Sequence, residues 1–164
     1  MHGVRRDRVT QPDLVACSGA RDVDDVRALL AASDLTISGL GEPGVHLWLA
    51  RDETGVVVAS TGYEASDDRR DVLVRSVAVD PVLRGRGLGL GLAQWALARA
   101  GESGATRAWL FSRRSGPFWQ RTGFEPADRD ELARRLATTH QVRQFVATGQ
   151  LGREVAWTRP LSGG

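Results

Sequence analysis

With 164 residues, 41% hydrophobic and 26% charged, the chain suits one globular domain spanning residues 1–164 with a single core. Its net charge is only +2, and all its basic residues are arginine, so a strongly basic nucleic-acid surface is excluded. The lone Cys17 can form no internal disulfide, the N-terminus lacks a signal-peptide apolar core, and no run approaches the ~20 apolar residues of a membrane helix; a cytoplasmic protein with no membrane partner is expected.

Residues 1–11 are polar and read as a mobile arm. Leu14 to Cys17 reads as a short first strand, with Cys17 a buried apolar thiol rather than a nucleophile. Asp22 to Ala32 follows as a helix, apolar on one face at Val23, Val26, Leu29 and Leu30, with Asp22 placed to cap it. Asp34 to Gly44 is a loop. Val45 to Asp52 and Val56 to Glu64 form two antiparallel strands around the Glu53-Thr54-Gly55 turn. A central strand, Val72 to Val79, ends at Asp80-Pro81. A glycine loop from Arg84 to Gly89 then opens a helix that runs to Ala100 and is apolar almost all round, which places it in the core. Arg107 to Ser112 is the next strand, Ser115 to Thr122 a short helix, Phe124 the start of another strand, Arg129 to Ala137 a helix and Glu154 to Leu161 the closing strand.

The segment Arg84-Gly85-Arg86-Gly87-Leu88-Gly89 lies where the loop becomes the helix. Glycines permit tight turning and close approach of backbone N–H groups, and the first helical turn has unpartnered N–H groups carrying partial positive charge. Together these make an anion site, best suited to cofactor phosphates. A Walker A loop is excluded because it needs Gly-Lys-Ser/Thr and the chain has no lysine. A Rossmann fingerprint is excluded because Asp80-Pro81 separates strand from loop and Leu90 stands where the third glycine should be.

Val77-Ala78-Val79-Asp80-Pro81 followed by Arg84-x-x-Gly87-x-Gly89 resembles the acyl-CoA-binding motif of the GNAT N-acetyltransferase superfamily. Phe118-Trp119-Gln120-Arg121-Thr122-Gly123-Phe124 resembles that superfamily's later F-Y-x-x-x-G-F element. Within it, Gly62-Tyr63-Glu64, Leu73 to Val79 and Val142 to Phe145 resemble the arsenic-resistance and amino-acid N-acetyltransferase-like branch. Leu110 to Ser115, with Arg113 and Arg114, departs from that branch's Thr-rich strand end and points to a different acceptor.

The resemblance implies an α/β (α+β) GNAT fold, a mixed central sheet of about six to seven strands flanked by helices. It implies acetyl-CoA as acyl donor, held by the backbone of Val77, Ala78 and Val79, by Arg84, Gly85, Arg86, Gly87, Leu88 and Gly89, and against Trp119. The loop from Asp34 to Gly44 would then contribute to substrate choice. Dimers are common among such proteins, though no surface motif here demands one.

Acetyl transfer needs a neutral amine, and an alkyl amine with a reference pKa near ~10 must first lose a proton. Glu64 matches the branch's G-L-E position and is the first candidate for the base; the alternative is a solvated strand-end carboxylate. Ser76 could assist a proton relay or be a plain strand hydroxyl. Arg75, in the central strand, either holds a substrate carboxylate in a two-pronged pair or forms an internal ion pair with Glu64 or an acidic loop residue. Arg113 and Arg114 add to the acceptor side, as could His140, Arg143 and Gln144. Trp119 stands where many relatives carry a general-acid tyrosine. His46, His140 and Cys17 lack metal-ligand spacing, so no metal is expected.

The leading expectation is acetyl transfer to a small, amino-acid-like primary amine. The alternatives are an acyltransferase drawing on aminoacyl-tRNA, which the modest charge disfavours, and a non-catalytic acyl-CoA-binding module.

Overall fold

The computed structural model describes residues 13–162; the polar arm expected over residues 1–11 lies outside them. Seven strands form one sheet: β1 (Val15–Ala16), β2 (Val45–Arg51), β3 (Val57–Ala65), β4 (Asp71–Val79), β5 (Arg107–Phe111), β6 (Glu125–Ala127) and β7 (Ala156–Pro160). Their order is β1-β2-β3-β4-β5-β7-β6. Among the described residues only β4 and β5 run parallel and the other pairs are antiparallel, so the sheet is mixed as expected. The parallel step is bridged by α2 (Leu88–Glu102), the crossover helix such a step requires.

Helices cover both faces. On one, α2 buries Ala93, Ala96 and Ala100 with Val72, Val74, Trp119, from α3 (Gly116–Arg121), and Phe124, and packs Leu92 with Ala50 and Ala59. On the other, α1 (Gly19–Ala32) packs Val26, Leu29 and Leu30 against Leu47, Leu49 and Ala78. Beside it, Leu132 of α4 (Arg129–Arg135) and Val142 of α5 (His140–Thr148) enclose Leu73 and Trp109. Burial on both faces explains why β3 and β4 are buried at nearly every position and show no apolar/polar alternation.

Three details differ from the sequence reading. Helix α1 begins at Gly19, with Ser18 at the N-cap; Asp22 lies a turn inside and reaches back to accept from the Ser18 N–H at 3.0 Å. Asp22 also accepts from Arg51 at 2.6 Å, so it joins the helix start to β2. Helix α2 is not buried all round: Leu90 is 40% exposed. Finally, α5 was not anticipated as a helix. Thr139 caps it, its hydroxyl accepting from the Val142 N–H, and Gly149 ends it in the left-handed conformation.

Candidate active site

The sheet is interrupted at its centre. On β4, Ser76 and Val77 together face the single residue Thr61 of β3, because Gly62 pairs with Arg75 and Ser60 with Ala78. This is a β-bulge, and Ser76 takes the left-handed conformation there, with φ 61°. The extra residue reverses the side-chain alternation. Val72 and Val74 face α2 before the bulge; after it Val77 and Val79 do so, and Ala78 turns to α1. Gly62 lets β2 lie close on the other side of β3, since a β-carbon there would overlap the His46 carbonyl oxygen.

Beyond the third residue of β4 the parallel strands part. Register pairs join Asp71, Val72 and Leu73 to Arg107, Ala108 and Trp109, and no further pair follows. Backbone groups of Val74 to Val79 on that edge therefore open into a wedge. A cavity of about 900 Å³ fills it, lined by Val74 to Val79 on one side and Phe111 and Ser112 on the other. Volumes of this order suit a cofactor or small ligand.

At one end the wedge meets the glycine loop. Gly85 and Gly87 have φ of 81° and 77°, a region that favours glycine. Gly87 is the N-cap of α2 and has no side chain with which to satisfy the first-turn N–H groups, so these stay available to an anion. Gly85, Gly87, Leu88 and Gly89 all line the cavity. Arg84 lines it too, its Nε donating to the Val79 carbonyl at 3.3 Å. Arg86 does not line it. The cradle fits a pyrophosphate, and the open β4 edge fits an extended arm that hydrogen-bonds along a strand.

At the other end stand Leu35 and Thr36 of the loop after α1, and Gln141 of α5. The Thr36 hydroxyl donates to Gln144 Oε1 at 3.1 Å, which seats that loop on α5. Arg75 and Ser76 line the cavity between the two ends.

Glu64 does not line the cavity. Its carboxylate is enclosed: Oε2 accepts from Arg75 Nη1 at 2.9 Å and from the Gln141 N–H at 3.2 Å, and Oε1 accepts from the His140 N–H at 2.6 Å. It therefore binds the first turn of α5 to β3 and neutralises Arg75. The side chains of Arg75 and Glu64 are 0% and 3% exposed. Burial pushes the Arg75 guanidinium down from its ordinary value, and the neighbouring Glu64 charge opposes this. Arg75 Nε donates to Ser76 Oγ at 3.2 Å. The internal ion pair with Glu64, one of the two readings open for Arg75, is formed.

The remaining sequence candidates separate. Arg114 lines the cavity, whereas Arg113 points to Glu154, Nε to Oε1 3.4 Å, and does not line it. Trp119 lines the cavity from within the core, 8% exposed and set edge-on against Phe118 and Phe124. Arg143 lies beside His140, its Nη2 3.4 Å from Nδ1. Sequence reasoning missed Arg121, Phe111 and Gln141 as lining residues. The Thr139 cap and the Val142/Phe145 spacing carried the helical signal that would have placed Gln141 in a first turn.

A wedge between two parallel strands, a β-bulge in the strand beside it and an uncapped helix start behind a glycine loop make a site suited to an extended ligand with an anionic end. Residues 13–124, well over half the sequence, match the Acetyltransferase (GNAT) family, and the chain belongs to that family of acetyltransferases.

Solved structures share the fold. Tetrahymena GCN5 superposes with a TM-score of 0.71 at 9% identity, over 93% of this chain and 98% of that one. A GNAT-family acetyltransferase from Staphylococcus aureus gives 0.69 at 13% identity, over 92% and 99%. N-acetylglutamate synthase from Neisseria gonorrhoeae, complexed with coenzyme A and N-acetyl-glutamate, gives 0.67 at 15% identity. That alignment covers 91% of this chain but only 35% of the synthase, so the chain spans about a third of its length. No curated protein matches the chain. No helix among the described residues is long and apolar enough to cross a membrane.

Proposed function

We propose that the protein transfers an acetyl group from acetyl-CoA to the primary amine of a small, amino-acid-like acceptor, by direct attack of the amine on the thioester. The observation that carries this is the wedge between β4 and β5 running into the uncapped start of α2. The CoA-bound synthase of the same fold supports the donor, and its N-acetyl-glutamate supports the acceptor class.

In this reading the first-turn N–H groups of α2, with Arg84, hold the pyrophosphate. Backbone groups of Val77 to Val79 take the extended arm, and a strand N–H beside the bulge polarises the carbonyl oxygen. Acetyl-CoA supplies the activated thioester. Glu64 acts as a positioning residue, because its carboxylate is enclosed by Arg75 and the first turn of α5 and does not line the cavity in which the amine would stand. The ammonium proton leaves to cavity water, with Ser76 Oγ fixed by Arg75 Nε at the edge of that path. Trp119 has no acidic proton to give, and none is needed, since thiols leave as thiolates with a reference pKa near ~8.5.

Mass spectrometry over a panel of primary amines with acetyl-CoA tests the proposal. Acetylated product from amino-acid-like amines is expected. Intact CoA binding with no product from any amine would overturn it in favour of a non-catalytic binding module.

A further inference from the structure

Among the described residues, the ionisable side chains that line the wedge are all guanidinium groups: Arg75 on β4, Arg84 in the glycine loop, Arg114 after β5 and Arg121 on α3. Every other lining side chain is apolar or aromatic, a hydroxyl or a carboxamide. Leu35, Thr36 and Gln141, at the end away from the glycine loop, are uncharged. The titratable groups of the neighbouring elements stand apart from the wedge. Glu64 is enclosed by Arg75 and the first turn of α5, and His140 and Arg143 of α5 do not line the cavity.

Such a lining treats the two forms of an amine differently. A guanidinium has no lone pair with which to take a proton. Hydroxyls and carboxamides relay a proton without holding one near neutral pH. An ammonium therefore meets neither a base to neutralise it nor a carboxylate to pair with, and would exchange water for neutral acceptors alone. A neutral amine needs neither.

Resting on the acetyltransferase reading above, we infer that the acceptor enters already neutral and is a weakly basic amine, such as the α-amino group of a peptide, rather than a lysine-like alkylamine. Its lone pair attacks the thioester carbon. The carbon–sulfur bond breaks with its electron pair leaving on sulfur as thiolate, and the proton shed by the acylated nitrogen passes to cavity water. Reference pKa values near ~7.8 for an α-amine and ~10.4 for lysine make the neutral fractions at pH 7 differ about 300-fold. The greater nucleophilicity of the stronger base offsets about 20-fold of this, with a Brønsted exponent of about 0.5 as for thiolates. The weaker base keeps an advantage of about 15-fold.

Glycylglycine and δ-aminovalerate test the inference. They have equal chain length and the same terminal carboxylate, but the first carries an α-amine and the second an alkylamine. With saturating acetyl-CoA at pH 7, kcat/KM should favour glycylglycine by about tenfold or more. Its logarithm should climb with unit slope to about pH 8 for glycylglycine and then level, and climb unbroken to about pH 9.5 for δ-aminovalerate. Difluoroethylamine and ethylamine, close in shape and far apart in basicity, should repeat the pattern without a peptide group. Binding gives a readout without turnover. In protein loaded with CoA, the apparent affinity for ethylamine, followed by chemical shift, should rise about tenfold per pH unit between about pH 7 and 9. A break at one fixed pH shared by both members of a pair would reveal a base on the enzyme and overturn the inference. Equal use of both members at pH 7 would overturn it too, and either result leaves amine acetylation intact. No product from these or any other amine overturns the acetyltransferase reading, and this inference with it.

Discussion

Glu64 and Arg75 are diagonal neighbours across β3 and β4, since Glu64 pairs with Leu73 and Arg75 with Gly62. Removing one member of a buried ion pair leaves the other charge uncompensated, which costs about 3–5 kcal/mol. Glu64→Gln should therefore lower stability by that order in urea unfolding. A base at this position would give a different result, with stability nearly kept and the acidic limb of the pH–rate profile lost. Measuring both on the same variant separates the two roles. The sequence placed these residues side by side and named the ion pair as one of two readings. It did not show that α5 presents two backbone donors to the same carboxylate, because contact with His140 and Gln141 is made 76 and 77 residues along the chain.

Among elements, the loop and start of α2 were the most legible, since glycine spacing, the Asp80-Pro81 break and the apolar helix all act locally. Gly87→Ala should cost about 1–2 kcal/mol, because φ there is 77° and an alanine pays a steric penalty in the left-handed region. It should also weaken CoA binding in titration calorimetry, with no change in enthalpy expected from lost side-chain contacts, since a β-carbon there meets nothing within 4 Å. Unchanged affinity would show that the loop does not hold the phosphates. The bulge in β4 was not legible. Burial on both faces puts apolar residues at successive positions on either side of Arg75-Ser76, Val72 to Val74 and Val77 to Val79, so no alternation is there to reveal a change of phase. The expectation that Arg113 stands on the acceptor side rested on its place at the end of β5 alone; Glu154, forty-one residues on, draws it away.

For the whole molecule, pH acts on stability through His46. Its ring stacks on Tyr63 with centroids 4.9 Å apart. Burial, and secondly the charge of Arg69, pull its pKa below the ordinary 6.5. The folded form then binds fewer protons than the unfolded form in the interval beneath 6.5. Stability from this source is complete above that value and declines as pH falls through the lowered folded pKa. The urea midpoint should drop on acidification across that interval, and the drop should be smaller in His46→Asn. An equal drop in the variant would assign the effect to other groups.

The three register pairs between β4 and β5 also make the sheet two panels, four strands and three, held by a short seam. Along the rest of β4 no strand completes the ladder. In the function proposed above, a donor arm laid there would serve as an eighth strand that is not protein, in the manner of β-augmentation. The panels already share core, with Val72 and Val74 packed among Ala108, Leu110 and Trp157, so a bound arm would add to their coupling where the ladder is open. Amide hydrogen exchange at Val77 to Val79 should slow on adding CoA, with β2–β3 amides far less affected. Donor binding would be the last step in building the sheet.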